Sequence, residues 1–385
     1  MTATIQLADP ELTRDPVKGY GRARDQAPIA ALVASGLPRM WAVTRHAEAR
    51  AMLADPRFAL GDDSFQRLDV PAHCRPHLRT MQHLEGDEHA RLRRLVTPEF
   101  SARRAAEFRP TVQRIVDTLL DDLARAADPD GTVDLLRDFA TPLPMEVICE
   151  LVGVPDHDRP QWRTHGQAIA AGHGKAFTEA IPAIIEAARN AVDRKQPADD
   201  LISRLQGTGH QLTDTELVTF VWHLVLAGQT PTNLIANAVP VLLDHPDQRT
   251  AMTGGRAPGA VDELIRWCGP QLLAIPRRAQ EDVELCGEPV KKGEPVTALL
   301  AAANRDPRAF ADPERFDVHR APNNHLGFAH GPHLCLGAPL ARLQTEVALT
   351  TLFHRYPRLA VTSEAGRIPD PATWRLNGLR VQLGE

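Results

Sequence analysis

Between Phe108 and Leu123 apolar residues recur every three or four positions (Phe108, Val112, Ile115, Val116, Leu119, Leu120, Leu123), and Asp128-Pro129-Asp130-Gly131 stops the run. That spacing puts the apolar side chains on one face of a helix over 101–127. Similar patterns predict helices over 177–193, over 259–268 and over 336–353, the last amphipathic through Leu340, Leu343, Val347 and Leu349. The stretch 213–243 is longer and mostly apolar. It opens with Thr213-Asp214-Thr215-Glu216, the form of a capping box, and predicts a helix long enough to run through the middle of the protein. Pro231 interrupts it by removing one backbone donor. Strand signals are short: 39–43, 282–285, and 294–300 after a turn at Lys292-Gly293. The expectation is a mainly α protein with small sheets at its ends. The 32 prolines and 25 glycines are spread as punctuation rather than gathered into a linker, so one domain over 1–385 is expected.

Composition narrows the classes. At 385 residues and 43% hydrophobic, the chain can bury a sizeable core. The net charge of -5 and the mixed-charge setting of Arg91, Arg93, Arg94, Arg103 and Arg104 argue against a nucleic-acid partner; these read as solvated helix faces. The five cysteines (Cys74, Cys149, Cys268, Cys286, Cys335) are odd in number and lack CxxC spacing, which argues against a disulfide framework or a structural zinc site. The opening MTATIQLADPELTRDP carries charges and prolines where a signal peptide needs an apolar run, and no stretch of about 18 uncharged apolar residues occurs. A cytoplasmic protein with no membrane partner is expected.

The segment from His325 to Pro339 holds the candidate chemistry. It reads Phe328-x-x-Gly331-x-His333-x-Cys335-x-Gly337. Glycines permit positive φ and close approach of backbone to a flat ligand. A helix is expected just after Cys335, and its first N–H groups would favour a thiolate over a thiol. Phe328 is placed to exclude water. This segment resembles the haem-binding loop of cytochrome P-450 enzymes, with Ala329 standing where that loop usually has glycine.

The resemblance implies the P-450 fold, with haem b held between the central long helix and the helix after the loop at 325–338. It implies Cys335 as the metal ligand, with Ala227, Phe328 and Gly337 against the cofactor. Three further features agree. Glu263-Leu-Ile-Arg266 matches the family's Glu-x-x-Arg pair, and Pro313-Glu314-Arg315-Phe316 supplies Arg315 as its expected partner. His89 and Arg93, four apart on one helix face, together with Arg277 and His333, match contacts to the haem propionates; Arg278 beside Arg277 leaves room for a slip of one position. Ala227-Gly228-Gln229-Thr230-Pro231-Thr232 matches the oxygen-side stretch, in which Ala227 and Gly228 allow close packing. Thr230 and Pro231 replace the usual acid and alcohol, and Thr232 comes one position late. Gly228, Gln229, Thr230 and Thr232 are the candidate catalytic residues.

The reaction implied is the monooxygenation of a small organic molecule in bacterial specialised metabolism. It uses O2 and electrons from a ferredoxin and its reductase, in a protein acting as a monomer. The Thr230-Pro231 replacement keeps peroxide-driven oxidation, coupling or rearrangement open. A haem- or gas-binding protein without turnover, or a silent scaffold for a partner enzyme, are the readings from other classes. By family position the substrate faces 58–84, 162–185, 224–229, 272–275 and 373–377. His73-Cys74-x-x-His77 has the residue types of a metal site but only three close ligands, and a substrate-access loop is the favoured reading.

Overall fold

The computed structural model describes residues 3–384 except 37, 65–69, 171–173, 195, 208–210, 255–256 and 364. The helices that matter here are α1 (His46–Ala54), α2 (Gly86–Val96), α3 (Ala102–Arg125), α4 (Pro142–Val152), α5 (Gly174–Asp193), α6 (Asp214–Ala227), α7 (Thr230–Asp244), α8 (Ala257–Cys268) and α9 (Ala338–Arg355). Among the described residues no helix is long and apolar enough to cross a membrane. The chain forms two compact units. The first comprises Met1–Phe65, Asn237–Leu336 and Ala365–Asn377; the second comprises Gln66–Ala236, Gly337–Glu364 and Gly378–Glu385.

The first unit is built on a six-stranded sheet. In spatial order its strands are Ala3–Gln6, Ile29–Val33, Met40–Val43, Pro295–Ala298, Arg277–Ala279 and Phe58–Ala59. The pairing of Met40–Val43 with Pro295–Ala298 is parallel, Trp41 opposite Val296. Trp41, Val43, Met52, Leu53, Phe58 and Val296 pack into one core of this unit, and Tyr20, Leu32, Leu272 and Leu299 into another. Strand patterns near 40, 283 and 295 were legible in the sequence. The strands Ala3–Gln6 and Ile29–Val33 were not, because Ile29–Val33 is buried on both faces and shows no alternation.

In the second unit α3 follows the predicted face: Val112, Ile115, Val116, Leu120 and Leu123 are buried. Ser101 caps it, its hydroxyl accepting from the Arg104 N–H at 3.3 Å. α3 lies on α9, where Gln113 Nε2 donates to Thr351 Oγ1 at 3.0 Å and Arg109 pairs with Glu346 at 2.9 Å. α9 differs from expectation in two ways. It starts at Ala338, with Gly337 as N-cap, and it is not amphipathic. Gln344 and Thr345 are as buried as Leu343, Val347 and Leu349, so the polar positions in its middle do not mark a solvent face. Expected helices at 177–193 and 259–268 correspond to α5 and α8.

The long central helix is two helices. α6 begins with the predicted capping box: Thr213 Oγ1 accepts from the Glu216 N–H at 3.2 Å, and Glu216 Oε2 accepts from the Thr213 N–H at 2.8 Å. α6 ends at Ala227, and Gly228-Gln229 form a turn before α7. Pro231 is the second residue of α7, so its missing N–H falls in a first turn that needs none. The break lies two residues before the proline, and the proline starts the second helix rather than interrupting one.

Candidate functional site

In the first unit the Cys335 loop is held by backbone hydrogen bonds. The Cys335 N–H donates to the Phe328 carbonyl at 2.9 Å, Ala329 N–H to Leu326 at 2.8 Å, and Leu334 N–H to Gly331 at 3.0 Å. Two residues have positive φ. Gly331, at +78°, has Leu53 O only 2.7 Å from where a Cβ would sit, so the loop runs hard against the end of α1. Ala329, at +59°, occupies the left-handed region that L side chains avoid. That conformation is the physical reason a glycine suits this position. His325 Nε2 contacts Asp262 Oδ1 at 3.0 Å, and its ring lies 5.8 Å from that of Phe328.

A haem needs a thiolate that can be reached, an apolar surface to lie on and cations for its carboxylates. Cys335 is the exposed one of the five cysteines; Cys74, Cys149 and Cys268 are buried and Cys286 is half-buried. Beside it Leu334 is 44% exposed, and Ile275, two residues before Arg277, is 38% exposed; these are the exposed large hydrophobic side chains among the described residues. At Gly337 a Cβ would meet no atom within 4 Å. Apolar surface of this kind is costly in water and suits a flat apolar ligand. Arg277 is 4% exposed and reaches the Phe58 carbonyl at 3.3 Å, whereas Arg278 leans outward to the Gly293 carbonyl. Of the two, Arg277 is the inward-facing arginine. In the second unit His89 is buried and Arg93 half-buried on α2. Within the first unit Cys335, Leu334, Ile275 and Arg277 suit such a cofactor.

The Glu263–Arg266 pair is fully buried. Arg266 Nε and Nη2 donate to the two Glu263 oxygens, each at 2.7 Å. The third member is not Arg315, whose side chain turns outward to Asp317 at 2.7 Å. Arg320 takes the place, its Nε 3.2 Å from both Glu263 oxygens. Asn323 Nδ2 (3.0 Å) and the Asp317 N–H (2.9 Å) also donate to Glu263. Arg315 contributes its backbone carbonyl, which accepts from Arg266 and Arg320. Spacing toward Cys335 could not choose between two arginines five residues apart, because the loop's path decides which one turns in.

At the α6–α7 break, in the second unit, Gly228 is closed against α4: a Cβ there would lie 2.4 Å from Ile148 Cδ1. Its smallness thus serves helix packing. The Thr230 hydroxyl donates to the Ala227 carbonyl at 3.0 Å. Gln229 Nε2 and Thr232 Oγ1 are buried and have no hydrogen-bond partner among the described residues. The expected metal-type cluster also rearranges. His77 sits against Thr219 Oγ1 (3.2 Å) and Arg189 (3.2 Å), while His73 pairs with Glu186 at 2.9 Å near Cys74.

A family model described as Cytochrome P450 matches residues 258–374. Cytochrome P450 monooxygenase PikC of Streptomyces venezuelae is 38% identical over 97% of this chain and 92% of its own length. Mycinamicin IV hydroxylase/epoxidase of Micromonospora griseorubida is 39% identical over 88% of this chain and 87% of its own. Among solved structures, the bacillaene polyketide synthase cytochrome P450 PksS of Bacillus subtilis 168 is 28% identical, with a TM-score of 0.89, covering 99% of this chain and 100% of its own. The class is that of haem b oxidoreductases. The chain belongs to the cytochrome P450 family, and it is a monooxygenase of specialised metabolism.

Proposed function

We propose that Cys335 would supply the thiolate that ligates the haem iron and that the enzyme oxidises a largely apolar specialised metabolite. The observation that carries the ligand assignment is the exposed Cys335 thiol, on a loop pinned to Phe328 and Leu326 and bordered by the exposed Leu334. Arg277 and Arg93, with His333 and His89 as hydrogen-bond donors, are the partners proposed for the haem carboxylates. Such partners lower the cost of holding two negative charges away from water. The haem, when bound, supplies the oxidation itself. The protein's part is to hold the thiolate, exclude water and position the substrate. Relatives named for mycinamicin IV, 20-oxo-5-O-mycaminosyltylactone and 6-deoxyerythronolide B support a substrate of that kind. Electrons are proposed to come from a ferredoxin and its reductase.

On the oxygen side we assign proton handling to Gln229 and Thr232 rather than Thr230. The Thr230 hydroxyl is already engaged by Ala227, while the buried Gln229 and Thr232 side chains retain polar atoms able to hold an ordered water. The lack of an acid–alcohol pair also favours a second reading, peroxide-driven oxidation. Product formed from hydrogen peroxide without any reductase, at a rate matching the reductase-fed reaction, would establish that second reading instead.

The test of the ligand is spectroscopic. Reduced protein under carbon monoxide should give the red-shifted Soret band of thiolate ligation. Cys335→Ser should abolish that band while Cys286→Ser leaves it intact. A histidine-type band in the unaltered protein would overturn the assignment.

A further inference from the structure

In the second unit the short helical turn Ala72–His77 packs against α5 and α6. Its backbone is held from both sides. The Cys74 N–H donates to the Pro71 carbonyl at 2.9 Å, and Trp222 Nε1 on α6 donates to the His77 carbonyl at 2.8 Å. Glu186 and Arg189, three apart on α5, share one helix face and both address the turn. Arg189 Nη2 donates to the His73 carbonyl at 3.5 Å, and Glu186 Oε1 lies 2.9 Å from His73 Nε2.

Three kinds of donor meet here. One nitrogen of His73, the Cys74 sulfur and one oxygen of Glu186 all lie within 4.8 Å of one another. In a tetrahedral zinc shell, with bonds of about 2.0–2.3 Å, neighbouring donors stand about 3.3–3.8 Å apart, so side-chain adjustments of about 1 Å would close the set. The donor chemistry selects the ion. A thiolate with an imidazole suits zinc, whereas magnesium and calcium take oxygen ligands. Ionised Cys74 and Glu186 match the two charges of the ion, with His73 neutral. The cation on this face of α5, Arg189, is turned to the His77 ring, 3.2 Å from Nε2. His77 Nδ1 meets Thr219 Oγ1 at 3.2 Å, so His77 is engaged elsewhere and Glu186 replaces it in the cluster. The His73 and Glu186 side chains are 54% and 43% exposed while Cys74 is buried. An ion therefore has a route in from solvent and room for water as a fourth ligand.

We propose that His73, Cys74 and Glu186 bind one zinc ion, with water completing the shell, and that the ion ties the Ala72–His77 turn to α5. Cys74 Sγ gives up its proton to solvent as the zinc–sulfur bond forms. The proposal does not rest on the assignment of Cys335.

The experiment takes haem-loaded enzyme, freed of adventitious metal, and titrates it with zinc chloride against a chromophoric zinc chelator. One zinc should bind per chain, and magnesium should not compete. Zinc-edge X-ray absorption should show one sulfur at about 2.3 Å and the remaining ligands at about 2.0–2.1 Å. Cys74→Ser and Glu186→Gln should each weaken binding at least about tenfold, and Cys74→Ser should remove the sulfur signal. His77→Gln and Cys286→Ser should leave the affinity within about twofold. Amide exchange over 72–77 should slow at saturating zinc in the unaltered protein and not in Glu186→Gln. Should Cys74→Ser not fold, Glu186→Gln, a change at a partly exposed side chain, carries the same test. A zinc spectrum without sulfur, an equal loss in His77→Gln, or binding abolished by Cys286→Ser would overturn the site. Tight binding that leaves exchange over 72–77 unchanged would overturn the tie to α5.

Discussion

Glu263 in the first unit and Thr232 in the second are both buried polar side chains, and their surroundings differ sharply. Glu263 accepts from Arg266, Arg320, Asn323 and the Asp317 backbone, so both carboxylate oxygens are fully engaged. Thr232 Oγ1 and the neighbouring Gln229 Nε2 have no such partners among the described residues. The first arrangement is what a scaffold needs, since a buried charge is tolerated only when fully matched. The second is unfavourable for a scaffold and suits a place where small polar molecules must be held and exchanged. At these two places saturation distinguishes a carboxylate that maintains the fold from side chains available to hold small polar molecules.

The contrast is most strongly tested by breaking the saturated network. Glu263→Gln leaves Arg266 and Arg320 without their carboxylate and should cost about 3–5 kcal/mol in denaturant unfolding. Arg320→Ala should be strongly destabilising too, whereas Arg315→Ala should leave the unfolding midpoint unchanged, because the Arg315 side chain faces outward. Equal effects of the two arginine variants would contradict the assignment of Arg320.

A smaller effect is expected at the helix break. Gly228→Ala should lower stability by about 1–3 kcal/mol through overpacking against Ile148. Ile148→Val removes the crowding Cδ1 and should recover part of that loss in the double variant, a coupling that a cycle of thermal melts would read. Strict additivity would place the cost on the Leu224 carbonyl oxygen, 2.6 Å from the same Cβ position, rather than on Ile148.

The smallest change goes the other way. Ala329→Gly relieves a left-handed backbone and should raise stability by about 0.5–1 kcal/mol, with the carbon monoxide band unmoved. A loss of stability would mean that the loop gains more from the alanine methyl than its backbone strain costs.

The sequence was most legible where local rules and tertiary needs agree. Thr213 read as a cap because capping chemistry is local, and α3 read as a helix because one face is buried. The buried Glu263–Arg266 pair was legible through motif and order. What failed was decided by distant contacts. Arg320 rather than Arg315 meets Glu263 because of the loop's path across residues 311–323. In α9 the buried Gln344 and Thr345 break the apolar periodicity, and they look solvent-facing until neighbours cover them.

The six-stranded sheet carries a consequence for how the chain is made. Met40–Val43, near the start, finds its parallel partner only at Pro295–Ala298, and Phe58–Ala59 pairs with Arg277–Ala279. During synthesis the early strands must therefore wait, with open edges, until about three-quarters of the polypeptide has left the ribosome. Chains arrested before residue 295 would expose those edges, and slow or interrupted translation should yield aggregates rather than a folded amino-terminal fragment.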